Sequence, residues 1–251
     1  MGGGAIHGIA FNRQTVDEQN TQRDAKLIPK DVNQDVGLRL IEAATQLFVE
    51  KGYRGVSIRA IATLANTNSA LISYYFGDKE GLFTEVLKNA AAPLNAARMA
   101  NFDKLEKEND LTVESLVHAW VAPMFQGASL SKQSPVAALS LSLNAEQGKL
   151  VEQLIVEIYD DVNERFLSLL ETCLPYTSRA TLVWRLYFLV GAVLTATRPR
   201  SRSVKSLSRG LIESRDPMEL IRQLVDFTSA GFRAAEPLSP KVVKSIAFRT
   251  K

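Results

Sequence analysis

Residues 57–79, SIRAIATLANTNSALISYYFGDK, constrain the fold more than any other stretch, because they encode two helices that are each too short to stand alone. Ser57 is a good N-cap, and Ile58, Ile61, Ala62 and Ala65 fall on one face of the first helix, with Arg59 and Thr63 elsewhere. Asn66, Thr67, Asn68 and Ser69 then cap, turn or tolerate left-handed backbone. A second short helix, roughly 69–75, follows with Ile72 and Phe76 facing inward. Helices under about three turns are marginal in isolation, so both must be held by packing on their neighbours.

Those neighbours are legible. Leu40, Ile41, Ala44, Leu47 and Phe48 recur at helical spacing, and Lys51-Gly52 supplies a basic last turn and a glycine stop. Downstream, Leu82, Phe83, Val86 and Leu87 give the buried side of a fourth helix over 78–102. Pro93 predicts a kink or break within a turn of itself. Residues 35–90 thus form a three-helix unit with a connecting fourth, the outline of a helix-turn-helix, which places its second element in the major groove of DNA.

Composition narrows the alternatives. Leu-, Ala- and Val-rich stretches with little strand-like alternation predict an all-α fold, and 46% hydrophobic residues supply enough apolar surface for a core. Cys173 has no second cysteine to pair with, and one cysteine with two histidines makes no closed zinc site, so no metal or cofactor is expected and a reducing, cytoplasmic setting fits. No glycine-rich phosphate loop or Ser/His/Asp arrangement is present, and His7 and His118 are the only histidines, so catalysis is not expected. A net charge of +3 permits a nucleic-acid partner without demanding one. Residues 1–34 lack a sustained period and read as a disordered extension with no address or anchor. The basic run 198–209 reads as a solvated loop, and 236–251 as a basic flexible tail.

Residues 91–235 read as a helical effector-binding and dimerisation bundle. Leu116, Val117, Trp120, Val121 and Met124 mark a helix over 111–125 with a kink expected at Pro123, and Ser134-Pro135 starts a short one to about 144. Residues 149–173 carry a continuous stripe that includes Val151, Leu154, Ile158, Val162, Phe166 and Leu170; the acids around Asp160-Asp161 read as a solvated face. The helix 178–197 is apolar on every side except Arg185, yet shorter than the ~20 apolar residues of a membrane span. Burial from two sides is therefore expected, by its own core and by a second subunit. With the last helix, 217–234, it supplies a predicted homodimer interface of Trp184, Tyr187, Phe188, Gly191, Leu224 and Phe227.

The motif Ser57-Ile58-Arg59-Ala60-Ile61-Ala62, the polar turn, Ser73-Tyr74-Tyr75-Phe76 and Asp78-Lys79-Glu80-Gly81-Leu82, preceded by Ala43-Ala44, Leu47-Phe48 and Lys51-Gly52-Tyr53, resembles the TetR/AcrR family of transcriptional regulators over about 50 residues. Asn66 and Thr67 stand where that family usually has glycine and valine, and asparagine accommodates the left-handed turn. The resemblance implies a dimeric repressor on a palindromic double-stranded DNA operator, released by a small effector.

The short side chains of the third helix limit what it reads. Asn68 is positioned to bridge an adenine, Ala70 or Leu71 to touch thymine methyls, and Arg59 to reach a guanine, with Ser69 and Ser73 beside them. Phosphate contacts are expected from Ser57, Tyr74, Tyr75 and Lys79; the alternatives are a tyrosine packed on the first helix and a solvated lysine. The run from Trp184 to Ala192 is similar to a fatty-acid-responsive subgroup of the family, which implies an acyl chain or acyl-coenzyme A as effector. Trp120, Met124, Phe125, Phe166 and Trp184 are then candidate ligand contacts, against ordinary core packing. The competing function is a ligand-independent architectural DNA-binding or protein-interaction module whose C-terminal region only dimerises; an apolar cavity distinguishes the two.

Overall fold

Local backbone chemistry sets every boundary of the helix-turn-helix region. In the computed structural model, which describes residues 30–125, 135–136, 138–139, 149–197, 206–212 and 217–236, helix α1 (Lys30–Lys51) ends at Gly52, whose φ is +70°. Ser57 Oγ accepts the Ala60 amide at 3.2 Å and opens α2 (Ile58–Leu64). Asn66 takes the left-handed conformation anticipated for the turn, with φ +50°. Asn68 Oδ1 accepts the Ala70 amide at 2.9 Å at the start of α3 (Ala70–Phe76), so the cap comes from Asn68 and not from Ser69.

Two glycines fix the next corner. Gly77, at φ +79°, ends α3, and Asp78 Oδ1 accepts the Gly81 amide at 2.8 Å to begin α4 (Lys79–Glu108). A Cβ at Gly81 would lie 2.0 Å from the Phe76 carbonyl oxygen, so no other residue permits that corner to close.

The chain divides into two compact units between Glu85 and Val86. In the first, Leu40, Ala44, Leu47, Phe48, Ile61, Ala62, Ile72, Leu82 and Phe83 are buried, with Phe48 edge-on to Phe83 at 5.0 Å between centroids. That core supplies the packing that the two short helices lack by themselves.

The second unit contains the rest of α4, α5 (Val113–Val121), a 3-10 turn (Ala122–Met124), α6 (Lys149–Cys173), α7 (Arg179–Ala196) and α8 (Pro217–Arg233). Thr112 and Ser115 form a reciprocal capping box at the start of α5. Its core centres on Phe166, which packs on Phe102 at 5.9 Å, Trp120 at 6.1 Å and Phe232 at 5.9 Å. The described residues contain helices and no strands.

Two proline expectations part company here. At Pro123 the α-helix ends and tightens into the 3-10 turn. Pro93, by contrast, causes no break: α4 is helical from Lys79 to Glu108 straight through it. Losing one rung of the ladder is tolerated because Ala91, Leu94 and Phe102 on either side are buried. Helix α1 also begins at Lys30, ahead of the expected start near Asp35. Most of the N-terminal extension, the short helix to about 144 apart from residues 135–136 and 138–139, which are helical, residues 198–205 of the basic loop and the tail from 237 lie outside the described residues.

Among the described residues α7 alone has the length and apolarity of a membrane span. Its Leu182, Leu186, Leu189 and Val193 are buried in the unit's own core. Arg185 donates to the carbonyls of Phe232 and Ala234, both at 2.8 Å, tying the helix to the end of α8.

Candidate nucleic-acid interface and ligand cavity

Helix α2, the turn and α3 present an exposed face of mostly short and polar side chains. Ser57, Arg59, Asn68, Ala70, Ser73 and Tyr74 are exposed, Ser69 and Leu71 are half-buried, and Ile72 between them is fully buried. The 3.6-residue period thus separates one inward side chain from a face of short outward ones. Neighbouring Thr63 and Leu64 are exposed as well; Leu64, 46% accessible, was not among the sequence candidates, and its place one turn after Ala60 was the available signal.

The two tyrosines differ in setting. Tyr74 is 51% exposed, and its ring meets Tyr75 edge-on at 5.1 Å. Tyr75 is half-buried; burial, with Tyr74 adding, pushes its phenol above the usual value, so it stays protonated and able to donate at neutral pH. Its hydroxyl has no hydrogen-bond partner among the described residues. Lys79 bends back over its own domain, where Nζ donates to the Tyr53 carbonyl at 2.7 Å and lies 4.3 Å from the centre of the Tyr53 ring. The lysine therefore has an anchoring role that its sequence position did not reveal.

In the second unit a cavity of about 400 Å³ is lined by Asn89, Ala90, Pro93, Leu94, Ala97, Pro123, Met124, Pro135 and Val136. Of the candidate ligand residues only Met124 is on its wall. The other four do not line it: Trp120, Phe125 and Phe166 are buried in the hydrophobic core, and Trp184 is 65% exposed on α7. Of the α4 residues that line the wall, Ala90, Pro93 and Ala97 carry small or pyrrolidine side chains, which no apolar stripe singles out.

The outer face of α7 carries Trp184, Tyr187 and Phe188, each about two-thirds exposed, with Trp184 stacked on Phe188 at 6.3 Å. Gly191 is exposed on the same helix, and Phe227 on α8 is 74% exposed. Leu224 instead belongs to the unit's own core, because its place between Ile221 and Val225 turns it inward. No cluster of His, Cys, Asp or Glu among the described residues suits a metal ion.

Comparison with known proteins matches both units. Residues 40–86 match the profile described as bacterial regulatory proteins, tetR family, and residues 118–231 the one described as tetracyclin repressor-like, C-terminal domain. The HTH-type transcriptional repressor NicS of Pseudomonas putida is 43% identical over 58 residues, covering 23% of this chain and 27% of its own length. The HTH-type transcriptional regulatory protein RaaS of Mycobacterium tuberculosis is 30% identical over 126 residues, covering 50% of this chain and 53% of its own. The chain thus matches between about a quarter and a half of the length of these relatives. The crystal structure of HlyIIR, a hemolysin II transcriptional regulator, has the same fold, with a TM-score of 0.54 at 20% identity over 78% of this chain and 97% of that one.

Proposed function

Because this chain belongs to the TetR family, we propose that it is a DNA-binding transcriptional regulator, a cytoplasmic homodimeric repressor that holds a palindromic operator and is released by a small apolar effector such as a fatty acid or acyl-coenzyme A. The observation that carries the DNA reading is the outward face of α2 and α3: Arg59, Asn68, Ala70, Ser73 and Tyr74 exposed around a buried Ile72. Arg59 and Asn68 supply groups suited to guanine and adenine edges, while Ser57, Tyr74 and Tyr75 position the helix on phosphates. Lys79 acts through Tyr53, fixing the start of α4, and its ammonium remains near enough to the corner to add to the positive field.

Few long side chains reach the bases, so specificity leans on half-site spacing in the dimer and on DNA shape. The dimer is the partner that covers Trp184, Tyr187, Phe188 and Phe227. The cavity of about 400 Å³ favours a ligand sensor over a purely architectural module. Its wall is formed in part by α4, the unbroken helix that starts at Lys79. A ligand that fits only one setting of that helix shifts the DNA-competent population by its differential affinity.

The test is the double variant Arg59→Ala, Tyr74→Phe, measured by fluorescence anisotropy on a duplex selected from a random pool. Affinity is expected to fall by about tenfold or more and the salt dependence to become shallower. Unchanged affinity and salt slope would show that another surface holds the DNA.

A further inference from the structure

Arg98 lies on α4 between Leu94 and Phe102, a turn away on either side, and that register turns it inward until only 1% of its surface remains accessible. Its Nε donates to the Trp120 carbonyl at 2.8 Å, and its guanidinium lies over the Trp120 indole, 3.6 Å from carbon to ring centre. There its satisfaction stops. Nη2 has no acceptor among the described residues, and none of their carboxylates pairs with the cation. Trp120 Nε1, part of the indole on which Arg98 is stacked, is likewise buried without an acceptor. Nearby, the Asn95 amide is given to the Ile158 carbonyl at 2.6 Å.

Two stranded donors, one of them charged, is an arrangement folded proteins normally avoid, because a buried cation without a counter-charge is costly. Burial pulls the guanidinium down to about 9, with Tyr159 opposing the shift, so it still carries its charge at neutral pH. What the site lacks is an anion. Neither Arg98 nor Trp120 is itself on the cavity wall, but Arg98 follows cavity-lining Ala97 in sequence and sits one turn from cavity-lining Leu94, and Trp120 stands three and four residues before cavity-lining Pro123 and Met124. The uncompensated cation and the cavity are therefore neighbours along α4 and along the segment that runs from α5 into the 3-10 turn.

We infer that the effector is an amphipathic carboxylate, its acid group held by Arg98 Nη2 and Trp120 Nε1 and its apolar body in the cavity between α4 and the 3-10 turn. The inference rests on the effector reading above and narrows it: a free acid supplies the counter-charge, whereas the thioester end of an acyl-coenzyme A carries none. A planar guanidinium is matched to a carboxylate and discriminates against an alcohol of the same length.

The experiment titrates the full chain by calorimetry with dodecanoate, dodecanol and dodecanoyl-coenzyme A, alongside Arg98→Met and Arg98→Lys. Dodecanoate is expected to bind the wild type about 10- to 100-fold more tightly than the alcohol. In Arg98→Met that preference collapses to about twofold with alcohol binding retained, and Arg98→Lys keeps part of it. Without ligand, Arg98→Met is expected to melt at or above the wild-type temperature, because it removes an uncompensated buried charge. Equal binding of acid and alcohol to the wild type overturns the role of Arg98 and leaves the effector reading standing. A variant that melts lower yet keeps the acid preference also overturns it, leaving the cation a structural partner of Trp120. Binding of none of the three compounds overturns the effector reading and the carboxylate inference together.

Discussion

Phe188→Glu should separate the subunits without unfolding them. The side chain is 68% exposed on α7 and stacked beside Trp184, outside the core formed by Leu182, Leu186, Leu189 and Val193. Complete burial of a phenylalanine contributes about 1.5–3 kcal/mol, so covering the exposed two-thirds is worth about 1–2 kcal/mol per subunit. Two-fold symmetry counts the change twice, about 2–4 kcal/mol, or roughly a 30- to 700-fold weaker dimer. The paired carboxylates, desolvated and of like charge, weaken it further. Sedimentation velocity at a concentration where the wild type is dimeric should show a monomer, with circular dichroism unchanged. Thermal stability at fixed low concentration should stay within about 0.5 kcal/mol, because no core contact is lost. A variant that remains dimeric, or a wild type that is monomeric throughout the micromolar range, would refute the assignment of this face.

Other consequences are as definite. Lys79→Met should destabilise the first unit by about 1–2 kcal/mol in urea melts, through loss of the Tyr53 carbonyl bond and ring contact; an unchanged melt with weakened DNA binding would make the lysine a phosphate contact alone. Asn66, at φ +50°, should accept glycine with little change and lose about 1–2 kcal/mol on replacement by valine, measured in the same melts. Phe166→Ala should cost about 3–5 kcal/mol, since the ring is wholly buried among Phe102, Trp120 and Phe232. Glu236 is held below the usual carboxylate range by its hydrogen bond to Thr181 and then by the Ser178 amide. Its contribution is complete above the unfolded value of 4.5 and disappears as pH falls through the lowered folded value, so Glu236→Gln should flatten that part of the acid melting profile.

The readability of this chain follows how local each determinant is. The stretch from the end of α1 to α3 was open to sequence reasoning because its parts act within a few residues: the Gly52 stop, the Ser57 cap and left-handed Asn66. Apolar spacing likewise identified Ile61, Ile72, Leu82 and Phe83 as core. Pro93 does not break α4, because its local penalty is offset by burial of neighbours on the same helix, which a single-residue rule does not weigh. The cavity was hidden for a different reason. Periodicity says that Trp120, Met124 and Phe166 turn inward, but whether an inward residue meets another side chain or a void depends on facing elements far away in sequence. The bond from Lys79 to Tyr53 spans 26 positions, beyond any helical register. Arg98 had a usable signal, its i±4 relation to Leu94 and Phe102, which places a cation on a buried stripe.

Whether a symmetric dimer reads DNA with α2 and α3 is tested most directly by selecting duplexes from a random pool with the full chain and sequencing what is retained. An inverted repeat is expected, its enrichment lost for Arg59→Ala, Tyr74→Phe and its second half-site lost for Phe188→Glu. Retention with no sequence preference, or a single asymmetric site that the variants leave unchanged, would contradict it.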